Sequence, residues 1–233
     1  MQILWITICC LVVLFVIYSI LPNVFVRVFH WHCVWRGPAT RSVALTFDDG
    51  PDPRYTPRVL DVLKDAGVKA TFFVIAEKAL KYPNIIHRMM REGHEIQVHG
   101  YTHACVPLLL PSRSRKQLRD SAQALHQVFG IRTSLYRPTW GLCNWVVLAW
   151  LHKTKHKLVT WSVIVGDWRK TTWETLMNRI LRKLHPGAII VLHDSDETFG
   201  SEHGAPNAVI EMLPKLIEHL RSQGYDFSKV SDW

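Results

Sequence analysis

Two hydropathy patterns divide this chain. Residues 3–21 read ILWITICCLVVLFVIYSIL, in which only Thr7 and Ser19 are clearly polar, and the first charged side chain is Arg27. About 20 such residues span a hydrocarbon core as a helix, so residues 1–21 are expected to form a transmembrane anchor that also contacts membrane lipid. A cleaved signal peptide has a basic start, a shorter apolar core and a small-x-small cleavage site. Met1-Gln2 and Leu21-Pro22-Asn23 supply none of these, which predicts retention. An apolar and aromatic connector, residues 22–41, follows.

From Ser42 onward, short apolar runs alternate with amphipathic stretches. Runs at 42–47, 69–74, 95–99, 134–136, 157–163 and 188–192, with a seventh near 226–230, have the length and composition of buried strands. Helices are expected from Thr56-Pro57 through Lys64, closing at Gly67, and over 112–129, 172–184 and 207–223, the second and last closing at Gly130 and Gly224. Strands too apolar to face water, alternating with helices, imply a parallel sheet with helices covering it. Their number fits an α/β fold of the distorted, incomplete (β/α) barrel type over residues 42–233. In such barrels the chemistry sits at the carboxyl ends of the strands.

Composition narrows the function classes modestly. With 233 residues, 48% apolar and 20% charged, the chain has the balance of one ordinary globular domain rather than a disordered one. The formal charge of +9 suits anionic membranes, cell-surface polymers or nucleic acid. No nucleic-acid module or interleaving of aromatic and basic residues accompanies it, so no nucleic-acid role is expected. Five cysteines without a CxxC pair make neither a disulfide framework nor a cysteine zinc site. Arg27, Arg36 and Arg41 follow the apolar span, and positive-inside counting puts the main domain in the cytoplasm. Large domains are also exported despite such charges, and an extracytoplasmic domain is the expectation here.

The strand ends carry the candidate chemistry. Residues 42–47 lead into Asp48-Asp49-Gly50-Pro51, adjacent carboxylates whose repulsion costs least with a cation between them. A surface Asp-Gly turn is the commoner origin of such a pair, but here an apolar strand delivers it. His99 and His103, spaced i,i+4 after the 95–99 run, suit two imidazoles on one metal. Thirteen histidines give roughly 0.7 such pairs by chance, and His152 and His156 repeat the spacing in a basic stretch, so position at a strand end distinguishes the first pair. Arg137, Asp167 and His193-Asp194 end three further runs.

In these motifs the chain resembles the polysaccharide deacetylase family, the NodB-homology group or carbohydrate esterase family four. The matching segments are Thr46-Phe-Asp-Asp-Gly-Pro51, His99-Gly-Tyr-Thr-His103, Arg137-Pro-Thr-Trp-Gly141, Asp167-Trp168 and Leu192-His193-Asp194. The resemblance implies one divalent metal, zinc first with cobalt, nickel or manganese as alternatives, held by Asp49, His99 and His103. It implies Asp48 as general base, Arg137 as its orienting partner, and His193, supported by Asp167, as the acid that protonates the departing amine. It further implies an oxyanion contact from the Trp140 backbone N–H, and an apolar slot for the acetyl methyl at Trp168 and Val191. The chain departs from the family's pattern at Val98, Thr139 and Ile164, which touch the groove and the residues behind the site rather than the metal and acid/base positions.

The activity so implied is removal of N-acetyl groups from N-acetylglucosamine-type sugars in peptidoglycan, chito-oligosaccharide or a lipid-linked glycan, by a monomer. Two alternatives are O-acetyl ester hydrolysis by the same site and glycan binding without turnover. Residues 106–111, Val-Pro-Leu-Leu-Leu-Pro, follow His103 on the same rim and either fold back on the barrel or touch lipid. Arg113, Arg115, Lys116 and Arg119 are expected on a solvated helix face.

Overall fold

A computed structural model describes all 233 residues, Met1–Trp233. Nine strands form it: β1 Cys33–Val34, β2 Ser42–Asp48, β3 Thr71–Ile75, β4 Glu95–Gly100, β5 Leu135–Tyr136, β6 Lys157–Val159, β7 Val163–Ile164, β8 Ile189–His193 and β9 Asp226–Phe227. Every pair of strands is parallel, in the order β1-β6-β5-β4-β3-β2-β8-β7, with β9 against the start of β2. The expected incomplete barrel is thus the fold.

The run 157–163 is not one strand, as its apolar content suggests, but two. Its backbone changes neighbours: Thr160 N–H donates to Val34 at one edge of the sheet, and Ser162 N–H donates to Ile189 at the other. Residues 160–162 therefore cross the seam where the curled sheet meets itself, and no single ladder serves both halves. Cys33–Val34 also joins the sheet, paired with β6, so the connector supplies a strand.

Helices cover the outside. Thr56–Asp65, Pro111–Phe129, Trp173–Leu181 and Pro206–Ser222 match the expected four. Ala76–Lys81, Pro83–Arg91 and Trp145–Thr154 are additional. Val43, Leu45 and Phe47 of β2 face the helices in the large core, whereas Ala44, with Phe73, Leu135, Val159, Ile189 and Val230, fills the barrel floor. The period of two along a strand then carries the same inward face upward through Thr46 to Asp48. Two-residue steps on β8 give Ile189, Val191 and His193, and the β2–β8 register sets Asp48 beside His193.

The N-terminal helix, long and apolar enough to cross a membrane, runs from Gln2 to Arg27 with a π turn at Val16–Ile20. Its first section, Gln2–Phe15, buries nothing, while Ser19, Pro22 and Val26 are buried on the barrel. Tyr18 Oη and Ser19 Oγ donate to the carbonyls of Leu109 (2.9 Å) and Pro107 (2.7 Å). Asn23 is paired twice with the Cys143 backbone, each bond 2.8 Å. The 106–111 segment divides: Val106 and Pro107 fold back on the barrel and are buried, while Leu108 and Leu110 are 67% and 68% exposed.

Candidate active site

At the carboxyl end of the barrel a pocket of about 300 Å3 collects residues from six separate segments. Asp48 ends β2, and Asp49 follows with φ 75°, a left-handed conformation that Asp tolerates better than most residues. This bend aims two consecutive carboxylates into the same space, where strand alternation alone would send them to opposite faces. Gly50 is required there, because a Cβ would overlap the carboxylate of buried Asp194.

Asp49 Oδ1 lies 3.2 Å from Nε2 of both His99 and His103. His99 Nδ1 is 2.7 Å from the Arg137 carbonyl, which only accepts, so His99 Nδ1 is the protonated nitrogen and a neutral ring keeps its lone pair at Nε2. The edge of His103 stands against Trp140, ring centres 4.3 Å apart. Thr198 Oγ1 donates to Asp49 Oδ2 at 2.7 Å, while buried Asp49 Oδ1 has no hydrogen-bond partner. Burial pushes the Asp49 carboxyl up, but the two imidazoles, when protonated, outweigh it and hold the group well below the usual carboxylate range.

The three donors fit a metal. Ligand bonds of about 2.0–2.1 Å at tetrahedral angles separate donor atoms by roughly 3.3 Å, close to the separations here. An orphaned buried carboxylate oxygen between two imidazole nitrogens is the environment a cation satisfies.

Two ion pairs flank this cluster. Arg137, fully buried, donates from Nη1 to Asp48 Oδ1 at 2.8 Å and to Thr46 Oγ1 at 2.7 Å, and from Nη2 to the Thr160 carbonyl at 2.9 Å. Its guanidinium stacks over Phe73, 4.1 Å from the ring centre, so the cation is fixed on four sides. On the far side, Asp167 accepts from the His193 backbone N–H at 2.7 Å and contacts His193 Nδ1 at 3.1 Å. Burial alone would depress the imidazole, but Asp167 chiefly, then Asp49 and Asp48, raise its pKa to about 10. His193 therefore enters neutral solution as an imidazolium whose free Nε2–H can donate.

Every site residue expected from the sequence lines the pocket or touches one that does. Trp168 and Val191 form an apolar wall with Ile164 and Trp161. Trp140, at φ 54°, stands at the mouth. Thr139 is buried and bonded to the Ala104 carbonyl, and Val98 is buried in β4, so neither lines the pocket. Asp194 does not line it either, and instead accepts from Thr56 at 2.6 Å, its pKa pushed up to about 7 by burial. His156 is half-buried against Trp150 rather than solvated. Arg27, Trp161, Thr198 and Phe199, none of them expected at the site, also line the pocket. Thr198 and Phe199 follow β8, so the strand-end rule points to that loop, whereas Arg27 comes from the N-terminal helix.

Comparison with known proteins gives a consistent result. Residues 36–159 match the family described as polysaccharide deacetylase. A peptidoglycan-N-acetylglucosamine deacetylase of Bacillus cereus is 35% identical over 82% of this chain and 68% of its own length. A chitooligosaccharide deacetylase of Bradyrhizobium is 34% identical, over 80% of this chain and 88% of its own. The crystal structure of the Bc1960 peptidoglycan N-acetylglucosamine deacetylase, solved with a hydroxamate-type benzamide, superposes with a TM-score of 0.82. It is 33% identical and covers 89% of this chain and 95% of that one.

Proposed function

The chain belongs to the polysaccharide deacetylase family of metal-dependent hydrolases, and on that premise we propose that it removes N-acetyl groups from N-acetylglucosamine-type sugars of the cell surface. The observation that carries the reading is the Asp49, His99 and His103 cluster with its orphaned oxygen, set between the Asp48–Arg137 and Asp167–His193 pairs.

Asp49, His99 and His103 would hold the metal, and two imidazoles with one carboxylate suit zinc, with cobalt, nickel or manganese as alternatives. Such an ion supplies acidification of water and polarisation of the acyl carbonyl. Asp48 acts as general base: Arg137 fixes one of its oxygens, leaving the other to take a proton from the attacking water. The Trp140 backbone N–H meets the developing oxyanion. His193 donates its proton to the departing amine, its ring held by Asp167. Trp161, Ile164, Trp168 and Val191 enclose the acetyl methyl and exclude water from it.

Residues 1–21 are the membrane anchor, 22–41 a membrane-proximal piece bonded to the barrel, and 42–233 the catalytic domain. Retention of the apolar helix is supported by Ser19, Asn23 and Val26, which are tied into the barrel close to any cleavage point near Leu21. A reporter fused after Trp233 is expected to read an extracytoplasmic domain.

The test is acetate release from acetylated chito-oligomers. Metal-loaded protein should release acetate, and a chelator should stop it. Asp49→Ala and His103→Ala should lose metal content by elemental analysis. Asp48→Asn should keep the metal and lose about 100-fold or more in turnover. Full activity in Asp48→Asn would remove the assigned base, and glycan binding without acetate release would leave only a binding protein.

A further inference from the structure

One wall residue of the pocket belongs to no barrel strand or barrel loop. Arg27 closes the N-terminal apolar helix and lines the same cavity as Asp48, Asp49, His99 and His103. It is exposed, and neither an acidic side chain nor any hydrogen bond within the chain engages its guanidinium. By contrast, Arg137, the other pocket-associated arginine, spends both terminal nitrogens on Asp48, Thr46 and the Thr160 carbonyl. A free guanidinium beside a hydrolytic pocket is a site for an anionic part of the substrate, because its planar donors match phosphate and carboxylate in pairs.

The mounting of the helix decides which anion. Tyr18, Ser19 and Asn23 are bonded to residues 107, 109 and 143, Trp145 Nε1 donates to the Ile17 carbonyl at 2.6 Å, and Val26 is fully buried. The helix is thus a rigid strut whose far section, Gln2–Phe15, has no protein around it. A hydrocarbon core of about 30 Å takes about 20 helical residues, which brings the membrane boundary close to Leu21. Exposed Leu108 and Leu110, beside Tyr18 and Ser19, then meet the apolar side of that boundary. Arg27, six residues beyond Leu21 and about 9 Å further along the helix, stands at the depth of lipid phosphates. The catalytic pocket opens at that depth.

We infer that the substrate is an N-acetylated sugar carried on a membrane lipid through a phosphate or diphosphate ester. Arg27 binds the phosphate while the acetamide lies at the Asp49, His99 and His103 cluster. This deepens the deacetylase reading and rests on it. A wall polymer places its N-acetyl groups away from the bilayer, whereas a lipid-linked sugar has its anion at the depth of Arg27 and its acetamide a sugar ring away.

The experiment uses full-length protein in lipid nanodiscs with two probes. One is an N-acetylglucosaminyl diphosphate ester of a polyprenol, and the other is neutral N-acetylchitotetraose. Wild-type protein should show the higher kcat/KM on the diphosphate ester. Arg27→Ala should lower kcat/KM on the ester at least tenfold more than on the neutral sugar, chiefly through KM. Arg27→Glu should widen that gap and Arg27→Lys should recover part of it. The same pattern in nanodiscs of zwitterionic and of anionic lipid assigns the effect to the substrate's phosphate. A gap that appears only in anionic lipid would make Arg27 a headgroup contact and overturn the inference. Equal losses on both probes, or none on either, would overturn it too, leaving the deacetylase reading in place. No acetate from either probe with wild-type protein would remove that reading and the inference with it.

Discussion

Asp167 directs both carboxylate oxygens at a single residue, accepting from the backbone and contacting the ring of His193. The raised pKa of about 10 means that His193 stays protonated through neutral pH and loses its proton only as pH climbs through that value. Since the folded pKa lies above the ordinary 6.5, the pair's contribution to stability is complete below about pH 6.5 and fades as pH rises toward 10. Asp167→Asn removes the main source of the rise, so the alkaline limb of kcat/KM should move down by at least one pH unit while metal content is kept. An unmoved limb would show that His193 does not set it. At this scale the sequence was informative: the Asp48-Asp49 pair, the two histidines and His193 line the pocket, and Arg137 and Asp167 touch residues that do. Each sits directly after an apolar run, and strand alternation sends such residues to a predictable face. What alternation does not supply is the positive φ of Asp49, which depends on the turn that Gly50 makes possible against Asp194.

Among the elements, the turn at Thr139–Gly141 shows how a loop shapes the pocket. Gly141 has φ 67°, and a Cβ there would overlap the ring of Trp161, which lines the pocket. Gly141→Ala therefore combines backbone strain with displacement of that ring. It should cost about 1–3 kcal/mol in stability and reduce kcat/KM. Gly130, the C-cap of the Pro111–Phe129 helix, has φ 71° with open space around it. Gly130→Ala should carry only the strain, about 1–2 kcal/mol, and leave kcat/KM as it was. Equal effects on kcat/KM would mean that Trp161 does not shape the slot. The long strands and four amphipathic helices were legible from periodicity, and Arg113, Arg115, Lys116 and Arg119 do form an exposed face. The division of 157–163 was not, because an apolar run has the same pattern whether one ladder or two opposite edges receive its hydrogen bonds.

For the whole molecule, the N-terminal helix divides into a free section and a docked one. Deleting residues 1–15 removes no buried side chain and should leave the melting temperature of the metal-loaded barrel unchanged. Deleting residues 1–27 also removes buried Val26 and the paired bonds of Asn23. That loss is about 3 kcal/mol, or roughly 6–12 °C in a domain of this size. Calorimetry of the two truncations checks it, and equal melting temperatures would mean that the docked section adds nothing. The sequence by itself determined the apolar N-terminal helix, the alternation of strands and helices, and which polar residues follow which strand, because each is a local pattern written in consecutive side chains. Only the tertiary structure decided that the last turn of the N-terminal helix is a wall of the pocket. Arg27 and Asp49 are 22 positions apart and share no local pattern. The packing of Ser19, Asn23 and Val26 on the barrel is what brings them to one cavity.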